Sequence, residues 1–160
     1  MAKKHPAPNY RNGTVFAVPL RDGGFALGLV ARSNGKGLVF GYFFGPRLAS
    51  IENHVRIMTP RVREQAVYVG QFGDLGLIKG EWPVLGAWPD WRPDEWPMPP
   101  FARHDALGEH AYVSIYDEET FALVREHEIA SAEVSDFVAD GVMGYGAMET
   151  RLSKLLPQTH

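Results

Sequence analysis

The chain has 160 residues, 45% of them hydrophobic and 22% charged, the balance of one globular domain rather than of a disordered or membrane-spanning chain. It has no Cys, which excludes a disulfide framework, a thiolate nucleophile and every Cys-ligated zinc or iron–sulfur site. The net charge of -3 is divided along the chain: residues 1–80 hold 11 Lys+Arg against 4 Asp+Glu, a balance of +7, and residues 81–160 hold 5 against 15, a balance of -10.

Such asymmetry either pairs internally or leaves an acidic face that steers a basic partner. Lys3 and Lys4 are followed by His5-Pro6 and not by the apolar stretch of a secretory signal, and no apolar run approaches the roughly 20 residues of a bilayer crossing, so a cytoplasmic location is expected. Residues 1–160 are read as a single domain with 1–12 as a flexible arm.

The first half is punctuated like a β protein. Residues 14–20 read as a strand between Asn12-Gly13 and Asp22-Gly23-Gly24, with Pro19 placing it at an edge or near its end. Residues 25–32 and 38–44 flank Ser33-Asn34-Gly35-Lys36-Gly37, where Asn-Gly supplies the positive φ angles of a hairpin turn. Two further strands are expected at 54–59 and 65–72, rich in Val, Ile and Tyr. Gly70, Gly73, Gly76 and Gly80 then interrupt the chain too often for a helix.

All four Trp, at 82, 88, 91 and 96, lie in a segment with Pro83, Pro89, Pro93, Pro97, Pro99 and Pro100. That Pro density opposes regular helix and central strand, so 82–101 is expected as an ordered loop held down by its rings. A hairpin follows, 111–116 and 120–129 about Asp117-Glu118-Glu119, with Val113, Ile115, Phe121 and Leu123 facing the core by alternation. Residues 147–156 place Met148, Leu152 and Leu155 or Leu156 at helical spacing. With five to seven strands and one or two helices, the expected class is mainly β (α+β): a strongly curved antiparallel sheet or small SH3-like barrel with a C-terminal helix.

Candidate chemistry is sparse. The glycine-rich stretch 70–76 lacks the Gly-Lys-Ser/Thr ending of a phosphate loop, and Gly144-Tyr145-Gly146 lacks a third glycine and a leading strand. His104-Asp105, Glu109-His110 and Glu126-His127-Glu128 include no paired metal-ligand spacing, and strand alternation splits the last cluster between two faces. No cofactor or metal is expected. Ser114, Asp117 and His127 could meet across the hairpin, but Ser114 lacks the glycines of a nucleophile elbow. Asp90, Asp94, Glu95 and Glu109 could supply paired carboxylates, although sequence gives no separation between them.

The aromatic loop divides between packing and protein binding. Trp88, Asp90, Trp91, Asp94, Glu95 and Trp96 mix charge with the side chain most enriched at binding hot spots, and Asp117, Glu118 and Glu119 add acid on the next turn. Those carboxylates repel phosphate, so direct nucleic-acid binding is not expected.

Several blocks together resemble immunity protein family 26 of bacterial polymorphic toxin systems: residues 13–20, Gly-Thr-Val-Phe-Ala-Val-Pro-Leu; residues 22–30; the stretch 69–77 with 80–86; and 140–152. The resemblance implies a mainly β, non-catalytic protein that binds and neutralises a cognate toxin domain. A basic nuclease is one toxin that would suit the acidic half. It assigns no contact residues, and the segment 88–101 departs most from the shared pattern. The opening strand also resembles the small barrels of RNA-cleaving toxins of toxin–antitoxin pairs, a reading that needs a basic groove and has only Arg21 and Arg32 nearby to build it. A generic peptide- or ligand-binding barrel using the Trp loop is the third reading.

Overall fold

The computed structural model describes residues 9–52 and 59–158. Ten strands form two sheets among them: β1 (Thr14–Pro19), β2 (Phe25–Ser33), β3 (Leu38–Leu48), β4 (Tyr68–Gly73), β5 (Val84–Ala87), β6 (Phe101–His104), β7 (Ala111–Tyr116), β8 (Leu123–Ile129), β9 (Val138–Ala139) and β10 (Val142–Met143). The helices are α1 (Leu75–Ile78) and α2 (Tyr145–Leu155). The first sheet runs β10-β4-β3-β2-β1-β5 and the second β8-β7-β6-β9. Both are mixed, because β10 lies parallel to β4 and β9 parallel to β6.

The mainly β class and the C-terminal helix agree with the sequence. Among the described residues no barrel closes, since each sheet is open at both ends, and the wholly antiparallel arrangement fails at the two-residue strands β9 and β10. The expected strand at 54–59 falls outside the described residues except for Thr59, which is in no strand.

The centre of the first sheet is buried on both faces, which explains why β1 to β3 read as near-continuous apolar runs rather than as alternation. On one face Phe16, Val18, Val30, Phe43 and Phe72 pack with Trp82 and with Met148, Leu152 and Leu156 of the α2 region. On the other, Val15, Leu29, Phe40, Tyr42 and Phe44 pack with Trp88, Trp96, Phe101 and Phe121. The protein is therefore layered: helix, central sheet, then Trp loop and second sheet.

The spacing of Met148, Leu152 and Leu156 is i, i+4, i+8, one stripe of a helix, and all three are buried while Leu155 points away. We predict that Leu152→Ala lowers the unfolding free energy by about 2–3 kcal/mol, toward the lower part of the range for buried Leu because a helix at one face can settle into the gap. Urea denaturation checks this, and an unchanged midpoint would contradict the packing.

Three local expectations are corrected. Glycines at 73, 76 and 80 do not prevent a helical turn, since α1 forms there. Gly76 serves contact with Trp82, because a Cβ added to it would lie 2.8 Å from the indole Cδ2. Leu123 is half exposed rather than core-facing, whereas Phe121 is buried just before β8, at a positive φ of 63°. Part of the expected arm at 1–12 is fastened: Asn9 Nδ2 donates to Leu77 O at 3.0 Å, and buried Tyr10 donates its hydroxyl to Asp74 at 2.7 Å. Burial, with that bond and the Asp74 charge, pushes the Tyr10 hydroxyl up to about 12.

Candidate partner-binding surface

The aromatic segment 82–101 carries the edge strand β5 and a short 3₁₀ turn, and it divides into packed and exposed residues. Trp88 and Trp96 are 5% and 2% exposed, with ring centres 5.2 Å apart. Both lie near Phe44, and Trp96 also meets Tyr42 edge-on at 5.0 Å. These two rings are core of the second layer. The Trp96 indole N–H has no acceptor among the described residues, enclosed as it is by aromatic rings. Trp91 is half-buried, its ring resting on Gly13, while Asp90, Asp94 and Glu95 are exposed. Pro93 starts a 3₁₀ turn, Pro93–Glu95, where its fixed φ suits the first helical position and its missing N–H costs nothing.

Arg32 joins this loop to the next acidic turn. Its side chain is 8% exposed and donates to Ala31 O at 2.7 Å and Pro93 O at 3.0 Å, with the Glu118 carboxylate at 3.5 Å. Glu118 also accepts the Met98 N–H at 3.2 Å. A guanidinium can do this because its planar fork serves several acceptors at once. The Pro93–Glu95 turn and the Asp117–Glu119 turn, more than 20 residues apart in sequence, thereby become neighbours. Tyr42 adds a second tie, donating its hydroxyl to Pro97 O at 2.6 Å.

The acidic turn is partly engaged in its own geometry. Asp117 Oδ1 accepts the N–H of Glu119 and of Thr120, each at 2.9 Å, and those bonds hold its carboxyl below the usual range. Glu118 serves the Arg32 junction, and Glu119 is exposed. Beside the loop, a cleft of about 300 Å³ is lined by Arg61, Val62, Arg63, Glu64, Glu95 and Trp96. Arg63 reaches Glu95 O at 3.4 Å, so the acid of the loop is bordered by basic side chains on this side.

The other chemical candidates take structural places. Ser114 donates to Glu126 at 3.1 Å, and the register sets His127 opposite Val113, so Ser114, Asp117 and His127 do not converge. Asp105 closes its own turn by accepting the N–H of Glu109 and His110. His110 bonds to Glu128 at 2.8 Å, and that carboxylate holds the imidazolium above its ordinary value. The contribution to stability is present below the ordinary His value and is lost as pH rises through the raised one. Among the described residues no three His, Asp or Glu are grouped to hold a metal, and no helix is long and apolar enough to cross a membrane.

Arg21 and Arg32 do not line a common groove: Arg21 donates to Gly146 O at 3.1 Å at the start of α2, and Arg32 is the buried junction described above. Sequence reasoning placed Arg32 only as a possible RNA contact. A lone cation ending the apolar run of β2 was the available signal for its junction role.

The described residues define the class as a mainly β protein of two mixed, open sheets with a C-terminal helix, a fold that does not by itself assign a function. The family comparison is more specific: residues 11–113 match the model of immunity protein 26, and the chain belongs to that family. Searches of curated proteins and of solved structures return no match.

Proposed function

We propose that this protein binds a cognate toxin domain and neutralises it by occluding its active site or substrate entry, with no catalysis of its own, in the cytoplasm of the cell it protects. The contact surface in this reading is the one carrying Asp90, Trp91, Asp94, Glu95, Glu118 and Glu119. Family membership over residues 11–113 is the observation that carries the proposal. The Arg32 junction supports the choice of surface, because a loop already tied down loses less entropy on binding.

A basic nuclease is the toxin class that fits the acidic C-terminal half, whose carboxylates would occupy the place of phosphates. Trp88 and Trp96 act in this scheme as the floor that holds the surface, since their rings are enclosed in the free protein.

The test pairs the protein with the product of the neighbouring reading frame, assayed for toxicity and for binding. Combined Asp90→Asn, Asp94→Asn and Glu95→Gln should slow association and flatten its salt dependence, whereas Trp91→Ala should raise the dissociation rate by roughly tenfold or more, as expected of an aromatic anchor. Folded variants that bind like the parent at low and high salt would move the contact elsewhere. Failure of the neighbouring toxin to bind the parent protein would remove the neutralisation reading itself.

A further inference from the structure

The sheets end in strands of very different length. β5, β9 and β10 have four, two and two residues, but β8, the outer strand of the second sheet, has seven. Six of its residues are exposed, including Leu123 and Val124 at 52% and 62%, and Ile129 is half-buried. Among the described residues its backbone bonds only to β7. It contains no Pro, and its guards are the exposed charges of Arg125, Glu126 and Glu128 together with the register shift at Val124, which select among incoming strands by charge rather than barring all of them. A register shift leaves Val124 unpaired, while Arg125 to Ile129 pair regularly with Ile115 to Ala111, so five residues form an undistorted edge.

Residues that sit opposite each other across a sheet share a face. Glu126 lies opposite Ser114 and Glu128 opposite Tyr112, so both carboxylates stand on one face of β8, with Arg125 and His127 on the other. Pairing of β8 with a second copy is disfavoured by this pattern. Across a two-fold axis normal to the sheet, the central registers set Arg125 against Arg125, Glu126 against Glu126, or His127 against His127 with Glu126 against Glu128, and like charges directly opposite are destabilising. Glu126 Oε1 holds Arg103 and Ser114, and Glu128 Oε1 holds His110, but among the described residues neither Oε2 has a bonding partner, so each carboxylate keeps one acceptor for a cation at alternate positions of an added strand.

We infer that β8 is a docking edge for an extended segment of a partner polypeptide, one with Lys or Arg at every second residue, which joins the second sheet as a fifth strand with its cations beside Glu126 and Glu128. Backbone hydrogen bonds supply the attachment, and the alternate pairing of charge sets the register. The Trp-loop surface and its toxin are not part of this inference, so the two can fail separately.

The test is made on the full chain with a synthetic capped peptide of alternating Lys and Val, seven residues long, and needs no toxin. Two N-methylated forms are compared with it, one methylated at every Lys and one at every Val. Because a strand has two edges and alternate N–H groups point to opposite ones, only one methylated form should lose binding, by tenfold or more, while the other binds like the parent. Amide exchange should slow at alternate positions within 123–129. Glu128→Lys, which changes an exposed side chain, should weaken the parent peptide severalfold. Equal binding of both methylated forms, loss of both, no binding of the parent peptide, or protection outside 123–129 would overturn the inference. Dimerisation of the protein through β8 in sedimentation would overturn it as well.

Discussion

Arg47→Ala should lower the unfolding free energy by about 3–5 kcal/mol, read as a fall in the urea midpoint with little change in slope. Arg47 lies on β3 with its side chain only 7% exposed, and it binds four groups from two other parts of the chain. Its Nε donates to Leu156 O at 2.7 Å, Nη2 to Ser153 O at 3.1 Å, and Nη1 to Gly23 O at 2.9 Å and to Asp22 at 2.5 Å. Two of these carbonyls close α2, where a cation also meets the negative end of the helix dipole. Removing the guanidinium leaves the Ser153 and Leu156 carbonyls without this donor and frees the helix from the sheet. The figure rests on those carbonyls and on the lost packing of the stem, not on the exposed Asp22. Arg47→Lys should recover part of the loss, because one ammonium cannot span the same acceptors. An alanine variant as stable as the parent would show that the helix is held by its apolar stripe alone.

The second large effect is in the aromatic stack beneath that helix. Phe16 lies parallel to Trp82, 5.7 Å between centres and 3° between planes, and is edge-on to Phe43 at 5.8 Å. Its ring crosses directly over Gly28, the residue opposite it on β2. A Cβ added at Gly28 would sit 2.3 Å from Phe16 Cζ, so the ring must leave its place. Phe16→Ala is expected to cost about 3–5 kcal/mol, and Gly28→Ala about 2–3 kcal/mol through overpacking. The two should not add. In the Phe16→Ala background the space over residue 28 is open, so Gly28→Ala there should be nearly neutral or stabilising. A double-mutant cycle by urea denaturation measures this, and additive losses would mean that Gly28 is required for some reason other than the ring above it.

Turn chemistry and helical periodicity were legible in the sequence because both are local. Asn34-Gly35 marked the β2–β3 hairpin, where Gly35 has φ 71° and Asn34 Oδ1 accepts the N–H of Lys36 and Leu38. Met148, Leu152 and Leu156 marked the buried stripe of α2 for the same reason. The family could also be read from strand and turn blocks within 13–30 and 69–86, inside the span 11–113 that its model matches.

The open sheets could not be read this way. Pairing of β10 with β4 and of β9 with β6 joins two-residue strands to partners far away in sequence, and such short segments have no periodicity of their own. The division of the four Trp was equally hidden, since composition marks an aromatic loop without saying which rings face inward. Tertiary packing decided it: Trp82 went to the helix side of the central sheet, Trp88 and Trp96 to the opposite side, and Trp91 to the margin over Gly13.

Arg32 states the boundary between the two kinds of information. Its sequence context suggests a cation at a strand end, and only the folded chain brings Pro93 O and Glu118 within its reach. The sequence by itself determined the turns, the amphipathic helix and the family, all of which depend on neighbours along the chain. Which acidic residues stand together, and which long strand remains open, depended on contacts between residues remote in sequence, which local propensity does not encode.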